Sequence, residues 1–334
     1  MIINIDKIIN HIHNTVKSHK LDKPGEYTRW IWQDEKESRK LGINEYGCAD
    51  AANILYTIGE FPKDEETRKG FVNALQNMQN PQTGLFVEAT HHPIHTTAHC
   101  TAALELFEAK PLYPMTALKE HKTADGIAKF LDSLDWEGDP WDMSHRGAGI
   151  YAALKLAEEV DNNWCDAYFN WLWENADEKT GMWRKGAIDS GKMPHVCHMA
   201  GTFHYLFNHE YAHMPLRYPD KLIDTCLDMY NKKELTPYFG RYISFAEVDL
   251  VYCINRASRQ TPHRFDECKA ALVDFAVGYI DYLNNLDHST DDGFNDLHAL
   301  FGVVCCLAEL QQALPGIIKS TKPLKLVLDR RPFI

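Results

Sequence analysis

The chain has 334 residues, of which 45% are hydrophobic, 25% charged and 11% aromatic, and this usage excludes disordered and fibrous proteins. Its 47 acidic and 35 basic residues give a net charge of −12, without the broad basic footprint of proteins that bind nucleic acids or anionic membranes. The length suggests either two domains of ordinary size or one large closed architecture.

The amino-terminal residues 1–20 are predicted to form an amphipathic helix rather than a secretion signal. Asp6 and Lys7 interrupt the apolar residues, and no small-residue cleavage site follows. No window approaches 18 uninterrupted apolar residues, so no transmembrane span is expected. The nine cysteines are odd in number and form no CxxC motif, which indicates reduced thiols and a cytosolic protein.

An internal repeat organises the rest of the chain. Six segments begin with small residues and continue as an apolar helix. Aligned on their last residue, they end at Leu55, Leu104, Leu154, Leu206, Ile254 and Leu307. The steps between these positions are 49, 50, 52, 48 and 53 residues. A second apolar helix and a Gly-containing turn precede most of these segments, so each unit is predicted to be a helical hairpin.

The composition of the hairpins predicts how they assemble. Gly, Ala, Thr and Cys crowd the aligned helices, as is needed where helices converge around an axis, whereas the partner helices carry a charged face. Five cysteines of the aligned helices are therefore read as packing residues. We expect an all-α, single-domain (α/α)6 toroid over residues 1–334, with no strands and with a carboxyl-terminal tail, residues 315–334, docked on the ring.

One turn resembles a known family. Lys69-Gly70-Phe71, Leu75-Gln76, Gln79 and Gly84-Leu85-Phe86 are similar to the glutamine-tryptophan repeat of terpenoid cyclases and protein prenyltransferases, with Phe86 in place of Trp. The resemblance implies an α/α toroid. It does not imply their chemistry, because the Asp-x-Asp-Asp acid motif and the Asp-x-Cys zinc pair of those enzymes are missing. Glycosidases, uronyl hydrolases, sugar epimerases and lanthionine cyclases share the toroid, so the fold alone does not select a function.

The alignment predicts which side chains meet at the mouth of the ring. Nine residues before the aligned position stand Tyr46, His95, His145, Cys197, Phe245 and His298, and five before it stand Asp50, His99, Gly149, Gly201, Asp249 and Gly302. Since the sixth hairpin closes onto the first, we expect Asp249, His298, Asp50 and His99 to form a continuous polar arc suited to acid–base catalysis. The expected substrate-binding residues are His95, His145, Arg146, Trp141, Trp183, Glu247 and Asp296.

Three local patterns raise the question of a metal. His95 and His99 are spaced to place two imidazoles on one helix face, but no third ligand is identified, and we favour a substrate-binding or structural role over zinc. Cys197-His198 is similar to the Cys-His-Gly segment of lanthionine cyclases, without its partner motif. His209-Glu210-Tyr211-Ala212-His213 matches HExxH, but it lies beyond the mouth, so a metalloprotease is not expected. No cofactor is required by the sequence.

These observations favour a carbohydrate-active enzyme, a glycoside or unsaturated-uronyl hydrolase or a lyase. Asp50 and Asp249 would transfer protons, and His99 and His298 would assist them. The partner would be a small molecule or an oligosaccharide. Two alternatives remain at this point: an isoprenoid enzyme of the terpenoid cyclase type, which an aromatic and carboxylate-poor cavity would favour, and a non-catalytic binding toroid, which a shallow mouth would favour.

Overall fold

A computed structural model describes residues 1–334 and is mostly helical, as expected. The α-helices are α1 Asp6–Ser18, α2 Glu45–Thr57, α3 Glu65–Asn77, α4 Pro93–Glu105, α5 Ala124–Ser133, α6 Pro140–Leu156, α7 Asn162–Asn175, α8 His195–Ala212, α9 Pro219–Lys232, α10 Ala246–Ser258, α11 Phe265–Asn285, α12 Asp292–Asn295, α13 Leu297–Ala313 and α14 Val327–Arg330. Two 3-10 helices span Thr116–His121 and Ile188–Ser190. The expectation of no strands was wrong in one detail: β1 Ile3–Asn4 pairs in parallel with β2 Ile318–Lys319.

Six helices contact one another in a closed circle. α2 contacts α4, α4 contacts α6, α6 contacts α8, α8 contacts α10, α10 contacts α13, and α13 contacts α2. These are the helices of the six aligned segments, and we call them the inner helices. Nearly every residue of α2, α4 and α13 is buried, as is typical of helices surrounded by other helices.

The helices between them are amphipathic. α5 buries Ile127 and Leu131, and α9 buries five apolar residues while its lysines and aspartates face solvent. α1, within the predicted amino-terminal helix, buries Ile8, Ile12 and Val16. This division into apolar and charged faces matches the pattern in the sequence. No helix of the structure combines the length and apolarity needed to cross a lipid bilayer.

The glutamine of the family-like turn holds the connection between α3 and the segment that follows α4. Gln79 Nε2 donates to the carbonyls of Gly84 at 2.8 Å and Tyr113 at 2.7 Å, and its Oε1 accepts from the backbone N–H groups of Leu112 and Tyr113. Gly84 has φ +73°, and a Cβ there would lie 2.1 Å from the Pro114 carbonyl oxygen. Glycine is required at this position by both conformation and space.

Not every turn glycine has that role. Gly181 also has positive φ, but Gly138 and Gly293 do not, so a left-handed turn glycine occurs in only part of the repeats. The inner-helix cysteines pack as expected at four of five positions: Cys48, Cys100, Cys253 and Cys305 are buried, whereas Cys197 is half-buried. All nine cysteines are free thiols.

The last residues of the chain enter the circle of inner helices from the side of their carboxyl ends. Arg330 pairs with Glu105 at the end of α4 at 2.6 Å, and Asp329 accepts from Arg256 of α10 at 2.5 Å. Beyond them, Phe333 is fully buried. Its ring lies 3.3 Å from where a Cβ on Gly149 would be, so the missing side chain of α6 makes room for it.

Candidate functional site

A cavity of about 240 Å³ lies among the amino-terminal halves of the inner helices. Five of its ten lining residues are histidines. The lining residues are Thr90, His91, His95, Trp141, Asp142, His145, His204, Phe245, His298 and Ile334. A larger cavity of about 500 Å³ lies beside α1, but it is more open to solvent and has no comparable cluster of titratable groups. We therefore regard the histidine-lined cavity as the candidate site.

Residues at equivalent positions of the repeat meet at this cavity. Tyr46 Oη lies 2.6 Å from His95 Nδ1, and its ring lies 4.6 Å from that of His298. The His95 ring is 4.7 Å from the ring of His145, and Phe245 is 5.0 Å from His298. Five of the six side chains aligned nine residues before the repeat end thus form one cluster.

Below this level, Asp50 joins two histidines. Its Oδ1 accepts a hydrogen bond from His99 Nε2 at 2.7 Å, and its Oδ2 accepts one from His298 Nδ1 at 3.1 Å. All three side chains are buried. Burial would raise the pKa of Asp50, but the two imidazole N–H groups hold it below its ordinary value of 3.8. Both carboxylate oxygens are therefore engaged within the protein.

A charged network beside His91 fixes the loop that precedes α4. Arg29 forms a bidentate pair with Asp296 at 2.8 and 2.9 Å, and its other amino group donates to Thr90 Oγ1 at 2.8 Å. Thr90 Oγ1 in turn donates to Glu88 and lies 2.7 Å from His91 Nδ1. Asp296 also caps α13 by accepting from the His298 backbone N–H at 2.9 Å.

His204 of α8 also lines the cavity. Its Nδ1 lies 2.9 Å from Ser144 Oγ, and the Ser144 hydroxyl donates to the Trp141 carbonyl at 2.5 Å. Since the only hydroxyl proton is used there, Ser144 accepts from His204 Nδ1, and the Nε2 lone pair is left free. His204 is therefore present as a hydrogen-bond acceptor and base at Nε2.

Burial keeps these imidazoles uncharged. It lowers the pKa of His298 to about 3 against the opposing effect of Asp50, and it lowers the pKa values of His91 and His95 as well. The pKa of His204 is also held well below 6.5 by burial. At neutral pH these four histidines are neutral imidazoles, which accept protons or bind metal ions.

Two groups of three side chains have the spacing of metal ligands. They are His91 with His95 and His298, and Asp50 with His99 and His298; within each group the nearest ligand atoms lie within 4.8 Å of one another. The second group is already joined by hydrogen bonds between its own atoms, whereas the first surrounds the cavity. Of the predicted metal candidates, only His95 belongs to the group that surrounds the cavity, and His99 belongs to the second. Cys197 and His198 lie outside both groups.

Several predicted residues do reach the site. His95, His145, His298 and Trp141 line the cavity, and Asp50 and His99 lie directly behind the lining. Trp141 is 43% exposed at the rim. Arg146 is near but engaged: it donates to the cavity residue Asp142 at 2.7 Å.

Other predicted residues do not. Asp249 is buried, makes no hydrogen bond to Asp50 or the histidines, and does not line the cavity, so the expected arc is interrupted there. Glu247 accepts from the Gly240 backbone at 2.9 Å and from Ser244 at 2.6 Å, which holds the loop before α10. Asp296 pairs with Arg29 instead of facing the cavity.

Two further side chains named in the sequence analysis turn into the core. Trp183 is buried, donates from Nε1 to the Leu172 carbonyl at 2.7 Å and does not line the cavity. His198 is buried, and neither of its ring nitrogens has a partner. In the HExxH segment, His209 Nδ1 bonds the Tyr205 carbonyl, Glu210 pairs with Arg256, and His213 caps the end of α8.

Sequence reasoning missed His91, Arg29, Glu88, Thr90 and His204. The first four lie in segments between helices, where the repeat alignment gives no position. His204 lies two residues before the aligned Leu206, deeper in α8 than the levels compared. The density of histidines between residues 87 and 99 was the one signal that pointed to His91.

Comparisons with protein-family models, with curated proteins and with solved structures found no match. Fold and function must therefore be argued from the residues of this chain.

Proposed function

We propose that the chain is a cytosolic (α/α)6 toroid enzyme. The closed circle of contacts among six inner helices and the 48- to 53-residue spacing of the segments that form them support this architecture. It is the architecture implied by the resemblance to terpenoid cyclases and protein prenyltransferases. The nine free cysteines agree with a reducing compartment.

Within that toroid, we propose that the cavity performs acid–base chemistry on one residue of a small, acidic carbohydrate, most simply an elimination. The observation that carries this is the lining: five imidazoles around a small cavity, with the half-exposed Trp141 at its rim. A volume of about 240 Å³ equals roughly eight water molecules at about 30 Å³ each, which suits a single sugar ring.

The chemistry is proton abstraction next to a carboxylate. An imidazole, that of His145 or of His204, takes the proton from the carbon beside the substrate carboxylate. The electron pair of that C–H bond forms a C=C bond, the bond from the next carbon to the leaving oxygen breaks, and the leaving oxygen takes a proton from water. No oxidant or reductant is needed.

Hydrolysis by a pair of carboxylates has less support. Glycosidases place two carboxyl groups on either side of the scissile bond. Here Asp142 is the one carboxylate among the lining residues, because Asp50 is occupied by two histidines and Asp249 is buried elsewhere. The isoprenoid alternative is not favoured either, since Trp141, Phe245 and Ile334 are the only apolar lining residues.

The test is an assay on a panel of uronic-acid oligosaccharides, with the ultraviolet absorbance of the new C=C bond as the readout. Replacing His145 or His204 by Gln should lower kcat by roughly 10²- to 10⁴-fold, the contribution of a general base. His195→Gln, at the exposed start of α8, is the matched control and should keep full activity. Full activity in both cavity variants would refute the assignment.

A further inference from the structure

We propose that His91, His95 and His298 bind one divalent transition-metal ion of the zinc type through their Nε2 atoms. This site goes beyond the proposed elimination and does not depend on it. The three residues come from the loop before α4, from α4 itself and from the first turn of α13, and one ring nitrogen of each lies within 4.8 Å of the others. Three imidazoles with one open position are a common zinc arrangement in enzymes.

The hydrogen bonds of the other ring nitrogens support this assignment. A metal-binding histidine usually donates its second N–H to a carboxylate or another acceptor, which orients the ring and leaves the lone pair toward the metal. His298 does so directly, because Nδ1 donates to the carboxylate of Asp50 at 3.1 Å. Its Nε2 must then carry the lone pair.

His91 reaches a carboxylate through one intervening hydroxyl. Thr90 Oγ1 has a single proton, which it donates to Glu88, and it accepts from Arg29. The remaining contact, 2.7 Å from His91 Nδ1, must therefore be a hydrogen bond that His91 donates. Nε2 of His91 is again the atom with the free lone pair.

His95 has an equivalent arrangement around Tyr46. Tyr46 Oη lies 2.6 Å from His95 Nδ1 and 3.2 Å from Thr96 Oγ1. The proposed site requires Tyr46 to donate to Thr96, so that its oxygen accepts from His95 Nδ1 and Nε2 of His95 keeps its lone pair. Three different acceptors then hold the three rings in place.

The Nε2 atoms are also reachable. None of the three has a protein partner, and none is sealed from the cavity, whereas His99 Nδ1 and both ring nitrogens of His198 are buried without a partner. The carboxylates of Asp50 and Glu88 stand behind the rings and offset part of the charge that a divalent ion brings. The fourth position would face the cavity, where a bound metal polarises an oxygen of water or of a substrate.

The experiment measures binding, not activity. Untagged protein is stripped with a chelator and titrated with Zn²⁺ against a chromophoric competitor, so that weak binding to the 17 histidines of the chain is separated from one tight site. We expect one Zn²⁺ per chain. His91→Gln should lose more affinity than the roughly 10- to 100-fold expected for Thr90→Ala or Tyr46→Phe, which change only the supporting hydrogen bonds.

His195→Gln is the control and should bind as the wild type does. His91 is half-buried and lies in a loop, so its variant should fold even where replacing buried His95 or His298 does not; circular dichroism checks this. When Co²⁺ replaces Zn²⁺, the protein should show the visible absorption of Co²⁺ bound by few nitrogen ligands. His91→Gln should abolish this absorption. Wild-type binding by folded His91→Gln, or the absence of a tight site, would overturn the proposal. Tight binding without elimination would refute the proposed function alone.

Discussion

Tyr46 Oη lies 2.6 Å from His95 Nδ1, and the two residues hold the same position in consecutive repeats, 49 residues apart. The hydrogen bond therefore joins neighbouring inner helices at the level where the cavity begins. It also orients the ring of His95, since the hydroxyl fixes Nδ1 and leaves Nε2 toward the cavity. Contacts between equivalent residues of successive repeats build most of the site.

The burial of Asp249 should destabilise the folded protein at neutral pH, and Asp249 should not be a catalytic residue. Burial, with a smaller effect from nearby Glu247, raises its pKa well above 3.8. Below pH 3.8 both folded and unfolded chains hold this proton; above it the unfolded chain releases the proton first, so rising pH favours unfolding until the folded pKa is passed. Asp249→Asn should remove this part of the pH dependence.

The measurement is the free energy of unfolding by urea between pH 4 and 8. Asp249→Asn should be at least as stable as the wild type at neutral pH and should fall less as the pH rises from 4. On an identified substrate it should also keep activity, whereas Asp50→Asn should lose it, because His298 is then held less firmly. An inactive but stable Asp249→Asn protein would contradict this and restore the sequence-based assignment.

Arg256 should be the most sensitive ionic position outside the cavity. It is fully buried and pairs with Glu309, with Glu210 at 2.9 Å and with Asp329 at 2.5 Å. Arg256→Met leaves Glu309 buried and unpaired, which should cost about 3–5 kcal/mol of unfolding free energy. Adding Glu309→Gln should recover part of that loss. Arg264→Met, which breaks a surface pair, should cost at most about 1 kcal/mol.

Phe333 should contribute as a core residue although it lies near the chain end. Its ring packs 4.9 Å from that of His95 and 5.6 Å from that of Phe207. Phe333→Ala should cost about 3–5 kcal/mol in denaturant unfolding, the range for a buried phenylalanine. Phe265→Ala removes a 44% exposed ring as the control and should cost far less. Equal losses would mean that the last residues are not packed in the ring.

Gln79 should stabilise its turn through its amide. Gln79→Ala removes the acceptor of the part-buried hydrogen bonds from the backbone N–H groups of Leu112 and Tyr113, and a typical hydrogen bond of this kind contributes about 0.5–1.5 kcal/mol. Thermal unfolding should therefore shift downward. Gln82→Ala, an exposed glutamine of the same turn, is the control and should leave the unfolding temperature unchanged. An unchanged unfolding temperature in Gln79→Ala would show that the side chain of Gln79 does not stabilise the turn.

The period of the sequence predicted more of the site than any motif did. It brought Asp50, His95, His99, His145 and His298 to common levels, because successive hairpins place equivalent residues side by side. It could not predict the direction in which each helix turns its first residues. Asp249 occupies the same level of the repeat as Asp50, yet it is buried away from the cavity, and nothing in the spacing distinguishes the two.

The repeat period could not predict the contributions of the segments between helices. Arg29, Glu88 and Thr90 are polar residues in stretches without periodicity, and only the path of the chain brings them to His91. Trp183 is one of the expected substrate-binding residues, but it lies in the core and not at the mouth of the ring. Its indole N–H bonds the Leu172 carbonyl and so belongs to the hairpin.

The bond between Asp50 and His298 joins residues 248 positions apart. At a synthesis rate of roughly 5–20 residues per second, α2 leaves the ribosome about 12 to 50 s before its partner α13 exists. During that interval the buried face of α2, including Asp50, has no final neighbour, and contacts of such long sequence separation also slow folding. The cavity is therefore complete only in a chain whose first and sixth inner helices have met.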